Sequence, residues 1–401
     1  MISPFLNFTG KLLRQISGIL DSTANYLAPN EESIPPTLVQ TGDSGFQRSF
    51  NNDWFDQFAG KIKEKHKVDL RDYILYTDKD PQSWRFYKRQ EASDWTAEEF
   101  NFNKEAQEYK TAPENIKKLF KGIGGFFLIG DGLIGEEVLE LIERAIERKN
   151  WPKVFYLVMK LKVEMTHIET YSKAFLTIVP QEEHQELFDM CIDLPCVKNK
   201  GQFLQEFGFG KHSEFIENVV CAVGEGIFFT GLFSEIFFMR RLGMFANFIE
   251  SNEQISKDET THRDEACAEA QRLLDNASEE DIALAYKIIA RGVQIEKEHI
   301  DYLLQFPILG EQADKDAGFT RENHYLYAEK LANEICYLIG LDLLYPDNDV
   351  TLKWMEEINM SQKSNFYERD VIGSYRKFDP NSTGEEENPL VYTNPLAVLA
   401  A

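Results

Sequence analysis

Glu164, His167 and Tyr171 stand at i, i+3 and i+7 in the stretch 163-VEMTHIETYSKAFL-176. An α-helix places those positions on one face, one above another. A carboxylate and a neutral imidazole spaced this way can reach one cation, the acid offering hard oxygen and the imidazole nitrogen. A phenol one turn further on faces the same way. The surrounding residues, from Phe155 through Val163 and from Ala174 to Val179, are strongly apolar. Chemistry of this kind on a greasy helix needs partners from elsewhere in the chain.

The Glu-x-x-His spacing occurs three times: Glu164/His167, Glu259/His262 and Glu296/His299. With seven histidines and abundant glutamate, chance supplies about one such pair, so spacing alone is weak. The third pair lies in 293-VQIEKEHIDY-302, where flanking charges suggest a solvated or salt-bridged face. Two isolated acids strengthen the case for the other two. Asp131 sits in 126-FFLIGDGLIG-135 and Glu225 in 220-VCAVGEGIFF-229. An unpaired carboxylate buried in an apolar helix costs several kcal/mol, so both call for cations. Two Glu-x-x-His helices joined by one carboxylate from each of two others is the arrangement of ferritin-like di-iron and di-manganese proteins. The expected assignment is Asp131, Glu164 and His167 for one metal, and Glu225, Glu259 and His262 for the other. Sharing of acids between the metals is not readable from spacing.

The elements that must position these groups are long helices. Apolar periodicity predicts helices over 115–149, 152–179, 213–241, 245–274, from about 275–280 to 304, and over 322–341, with a turn at 194–201 and Gly243 between two of them. A run of glycines between 122 and 135 weakens the middle of the first. Thr96, followed by Glu98 and Glu99, resembles a capping signal. The fold class is all-α, a ferritin-like bundle of helices longer than the usual 11–12 or so residues. The expected organisation is an arm over 1–45, a helical di-metal domain over 46–377 and a mobile tail over 378–401.

Composition narrows the function classes. The chain has 401 residues, 43% of them hydrophobic, including 30 Phe, which is ample for a large core. Its net charge of -24 argues against nucleic-acid binding and against docking on anionic lipid. The apolar run 218–239 is interrupted by Glu225 and Glu235, which suits a buried helix better than a membrane span. The N-terminal residues make a poor signal peptide. Five scattered cysteines without a CxxC pair read as reduced thiols of an intracellular, cytoplasmic protein.

Several motifs in one order carry a more specific resemblance. The segments 91-EASDWTAEEFNF-102, 126-FFLIGDGLIGEE-137, 164-EMTHIETYS-172, 194-LPCVKNK-200, 224-GEGIFFTGLF-233, 252-NEQISKDETTH-262 and 363-KSNFYER-369 resemble the small, radical-generating subunit of class I ribonucleotide reductase. The likeness runs from about Tyr87 to Arg376 and is closest in wording to the eukaryotic and viral branch. It implies a di-metal centre of two iron ions per chain, or manganese, that activates O2 and oxidises Tyr171 to a stable radical. It implies an apolar radical pocket at Phe229, Phe233 and Ile255, and a transfer route through His167, Asp258 and Trp95. It also implies a homodimer that docks its C-terminal tail on a large catalytic subunit, with Tyr392 as the relay tyrosine and Tyr375 as the weaker candidate. Lys257 stands where the family commonly has Arg, and the ending NPLAVLAA departs from the family's acidic, aromatic one. The competing readings are another ferritin-like di-metal oxidase or oxygenase, which needs no relay Trp or docking tail, and a metal-storage paralogue, which needs no tyrosine in an apolar pocket.

Overall fold

A computed structural model describes residues 72–73, 75, 77–350 and 352–355. The arm 1–45, the motif 363–369, Tyr375, Tyr392 and the tail 378–401 lie outside the described residues. Among the described residues every regular element is helical.

Five of the helices start where a short polar side chain accepts from a free N–H at the end. Asp80 caps α1 (Pro81–Ala92) and Asn150 caps α4 (Trp151–Ile178). Ser213 caps α7 (Glu214–Val223), Ser278 caps α10 (Glu279–Leu303), and Thr320 caps α12 (Arg321–Ile339). The Thr96 signal belongs to a short 3-10 turn, Ala97–Glu99, where the Glu99 carboxylate accepts from the Thr96 N–H at 3.1 Å. Helices α2 (Asn103–Thr111) and α3 (Glu114–Glu147) follow. Gly243 (φ 66°) and Phe245 (φ 60°) form a left-handed corner that turns the chain into α9 (Ala246–Leu274).

Helix α3 runs unbroken through its glycines, as the periodicity over 115–149 predicts, and one of those glycines is a packing requirement. A Cβ on Gly124 would come within 2.6 Å of the Phe175 ring, which lies against the helix backbone. The 194–201 segment is not a turn. Helix α5 (His184–Asp193) ends at Leu194, and Pro195 at the first helical position starts α6 (Pro195–Phe207) at once, its fixed φ suiting that position.

Helix α3 packs along α4, and α7 along α9. Together with α8 (Thr230–Phe238) these enclose the core. Helices α7 and α8 are one continuous run, Glu214–Leu242 including a last 3-10 turn. Its composition alone would suit a membrane span, yet 89% of its apolar window is buried inside the protein. The run contains a π-helical turn, Gly224–Phe229. There the Thr230 hydroxyl donates to the Glu225 carbonyl, five residues back, at 3.2 Å. π turns concentrate at functional sites, and this one carries Glu225. On the far side α10, α11 (Glu311–Ala317) and α12 complete the molecule.

Candidate metal centre

Asp131 from α3, Glu164 and His167 from α4, Glu225 from the π turn, and Glu259 and His262 from α9 converge in the core. All six are fully buried. Their ligand atoms form two overlapping groups: Asp131, Glu164, His167 and Glu259, and Glu164, Glu225, Glu259 and His262. Glu164 and Glu259 therefore belong to both. His167 Nδ1 lies 3.0 Å from Glu259 Oε1 and 3.6 Å from both Asp131 Oδ1 and Glu164 Oε2. His262 Nδ1 lies 2.9 Å from Glu259 Oε2 and 3.2 Å from Glu164 Oε1.

These residues fit metal ions. Both oxygens of Asp131 and of Glu164, Glu225 Oε2, Glu259 Oε1 and His167 Nδ1 are buried without a hydrogen-bond partner. Buried acceptors facing one another are costly unless a cation lies among them. Without an ion, protons must take that part. Burial pushes Asp131 up to about 7 against the opposing pull of His167. Burial, with Glu259 nearby, also pushes Glu225 well above the usual carboxylate range. Burial acts on Glu259 too, but His167 and His262 outweigh it and hold that carboxyl well below its usual range. Metal ions held by these residues would take the place of those protons.

The imidazole of His167 is oriented from outside the cage. Its Nε2 lies 3.1 Å from Asp258 Oδ2, so Nε2 donates and Nδ1 is left to face the acids. The same Asp258 oxygen accepts from Trp95 Nε1 at 2.7 Å. Gln90 donates to the other oxygen of Asp258 at 2.5 Å. Trp95 and His167 are also stacked, with centroids 6.0 Å apart at 24°. The chain Trp95–Asp258–His167 is thus continuous and buried. Lys257, beside Asp258, donates to Gln254 at 3.3 Å.

Tyr171 is 1% exposed. Burial raises its pKa well above the usual phenol value, so it stays protonated, and its hydroxyl donates to Asn252 Oδ1 at 2.8 Å. Asn252 in turn donates its amide to the Phe248 carbonyl at 2.8 Å, which fixes the oxygen toward Tyr171. Phe127 stacks on the phenol ring at 4.6 Å, and Phe229 and Phe233 pack against Phe127 at 5.7 and 5.5 Å. Ile255 is fully buried in the same core.

Sequence reasoning missed four of these neighbours. Phe127 and Asn252 touch Tyr171, Gln90 touches Asp258, and Lys160 touches Glu225 at 2.8 Å. Phe127 and Asn252 lay inside quoted motifs, at 126–137 and 252–262. Gln90 lay one residue outside the motif that starts at Glu91, and Lys160 carried no signal at all. For the third Glu-x-x-His pair the salt-bridged alternative holds and the solvated one does not: Glu296 and His299 are fully buried, and Lys200 from α6, itself fully buried, reaches Glu296 at 2.7 Å. Flanking charges at Lys297 and Glu298 point elsewhere, Lys297 to Glu329 and Glu298 to Asn199.

The family model for ribonucleotide reductase, small chain, matches residues 73–351. The chain belongs to that family. The ribonucleoside-diphosphate reductase small chain of Neurospora crassa is 30% identical over 308 residues, covering 76% of this chain and 72% of that one. The ribonucleotide reductase R2 subunit from Clostridium botulinum shares the fold with a TM-score of 0.60 at 19% identity, over 71% of this chain and 89% of that one. The dimanganese(II)-NrdF of Streptococcus sanguinis does so with a TM-score of 0.58 at 15% identity, over 71% and 99%. The chain is a small chain of ribonucleoside-diphosphate reductase, an oxidoreductase component that works with a large subunit.

Proposed function

We propose that Asp131, Glu164, His167, Glu225, Glu259 and His262 hold two metal ions, iron or manganese, and that Tyr171 is the residue oxidised to a radical. When bound, the metal pair supplies the oxidising power drawn from O2. The chain's own residues supply the rest. Tyr171 must lose an electron and a proton. Asn252 Oδ1 accepts the phenol's hydrogen bond at 2.8 Å and so fixes the hydroxyl, and the proton goes to a cage carboxylate, Asp131 or Glu259, whose charges act on the phenol. Phe127, Phe229 and Phe233 surround the ring with apolar surface, which keeps water and reductants from the radical. The hydrogen-bonded chain His167–Asp258–Trp95 serves transfer toward the large subunit, since Asp258 can pass a proton as Trp95 passes an electron. That chain is the observation that carries this reading. An oxidase or a store of the same fold needs the cage but not a buried Trp tied to it.

The large subunit is engaged by the tail 378–401, with Tyr392 as relay; both lie outside the described residues. A homodimer suits the outer face of α4, where Phe155, Val158, Met165 and Leu176 are each about 39–50% exposed at spacings of three, seven and eleven residues. We place the assembly in the cytoplasm, with no nucleic-acid or membrane partner.

The test is to give metal-free protein Fe(II), and separately Mn(II), under anaerobic conditions, admit O2 and record EPR spectra. A tyrosyl signal that disappears in Tyr171→Phe while the metals stay bound is the expected result. A persistent tyrosyl signal in that variant overturns the assignment. Bound metals without a radical under either condition mean a missing activator or favour the oxidase or storage reading.

A further inference from the structure

The two halves of the metal cage are chemically unequal, and one residue makes them so. On the Asp131 side both carboxylate oxygens are free of hydrogen-bond donors. On the Glu225 side one oxygen is already taken. Lys160 Nζ donates to Glu225 Oε1 at 2.8 Å, while Glu225 Oε2 has no partner. The same ammonium lies 4.0 Å from Glu164 Oε1 and 3.6 Å from Cys221 Sγ. Lys160 is 3% exposed and stands on α4 one turn before Glu164, so the helix that carries two ligands also holds this cation in place. The carboxylate of Glu225 at 2.8 Å and that of Glu164 at 4.0 Å make this a buried ion pair with Lys160 as its ammonium.

The four carboxylates of the cage, Asp131, Glu164, Glu225 and Glu259, carry the charge that two divalent ions would balance. Lys160 is a further positive charge; of the acids that belong to one group alone it adjoins Glu225, and it reaches the shared Glu164 at Oε1, the oxygen that faces His262 at 3.2 Å. Like charges a few ångströms apart in a buried site repel strongly, and the position beside Asp131 and His167 lies on the other side of the shared acids. We propose that Lys160 is a resident cation that weakens the Glu225–His262 metal position relative to the Asp131–His167 position, so that the centre fills in order, Asp131 side first, with Glu225 binding through Oε2. This deepens the di-metal reading above and rests on it.

The experiment titrates metal-free, full-length protein with Mn(II) alone, following free Mn(II) by EPR and bound metal by elemental analysis. Wild type should take two ions in two separated steps. Lys160→Met, which keeps the length of the side chain, should tighten the second step at least about tenfold and shift the first by less than about threefold. Lys160→Gln keeps a donor to Glu225 without the charge, gives the same result if charge is the cause, and serves alone if Lys160→Met does not melt cooperatively. In otherwise wild-type protein, His262→Ala should remove the weak step and leave the tight one. Two bound ions with unchanged steps in both Lys160 variants overturn the proposal, as does an equal shift of both steps or loss of the tight step in His262→Ala. Wild type that binds no Mn(II) is a different failure: it removes the di-metal reading itself.

Discussion

Two acidic clusters lie buried in this bundle, and they are built from the same materials. The metal cage has Asp131, Glu164, Glu225 and Glu259 with His167 and His262. The second cluster has Glu296, His299, Glu235 and His324, all at most 1% exposed. Each contains Glu-x-x-His spacing. They differ in who supplies the cation. Lys200 sits fully buried against Glu296 at 2.7 Å, over the rings of Phe126 and Phe228. Glu235 avoids charge by keeping a proton, since burial, with Glu296 nearby, pushes it up to about 8. Burial also drives His299 and His324 toward the neutral form. The second cluster is therefore neutral as it stands. Among the described residues the lysine that reaches the cage is Lys160, at one end, and it pairs with Glu225 out of four acids. The spacing motif says that two side chains share a helix face. Partners from other helices decide whether an ion from outside is required.

The comparison breaks first at Glu259, which serves both halves of the cage. Glu259→Ala should lower metal content from two ions per chain to one or none and abolish turnover with the large subunit. The loss of affinity should exceed the roughly 10–100-fold typical of partners outside the ligand set. Elemental analysis after dialysis measures this. Two retained ions would mean that the cage does not depend on its shared acid. The second cluster should respond in the opposite manner. Lys200→Met leaves Glu296 buried without its cation and should cost about 3–5 kcal/mol in denaturant unfolding, with metal stoichiometry unchanged. Lys200→Met combined with Glu296→Gln should recover much of that loss. If Lys200→Met changes metal content, the two clusters are coupled and the contrast fails.

The long helices were legible because apolar periodicity over some 20–30 residues leaves little choice. The six cage residues were legible for a related reason: an acid such as Asp131 or Glu225 in an otherwise apolar run has no local explanation. What escaped was whatever depends on another helix. Lys160 reads as one charge among several in MKLKVEM, and nothing local says that it turns inward to Glu225. Asn252 looks like an ordinary polar helix residue until Tyr171 is placed opposite it. The π turn at Gly224–Phe229 had no signature beyond two glycines flanking Glu225. Gly226 is explained by side chains from other helices: a Cβ there would lie 2.8 Å from Arg263 Cδ and 3.1 Å from Ile335 Cδ1. Whether Glu296 and His299 were solvated or salt-bridged stayed open because the residues beside them are charged, while the partner that decides it, Lys200, comes from α6.

The smallest expected effect is also the one that tests how the second cluster stays neutral. Its neutrality requires Glu235 to hold a proton that an exposed glutamate would release. Ser234 donates to Glu235 Oε2 at 3.1 Å, and His324 Nε2 lies 3.6 Å from Oε1, but burial dominates. The carboxyl titrates near 8 in the folded chain against 4.5 for an ordinary glutamate. Between those values the folded state binds a proton that the unfolded state does not. Linkage then gives a stability contribution that is complete below about pH 4.5 and declines as pH rises toward 8. The slope is at most about 1.4 kcal/mol per pH unit. Unfolding of metal-free wild type and Glu235→Gln at several pH values from 6 to 8 isolates this group, because every other titrating residue is common to both. Wild type should lose stability faster over that interval. Parallel curves would mean that Glu235 is already charged in the fold, and that Lys200 then faces two carboxylates in a cluster no more self-sufficient than the cage.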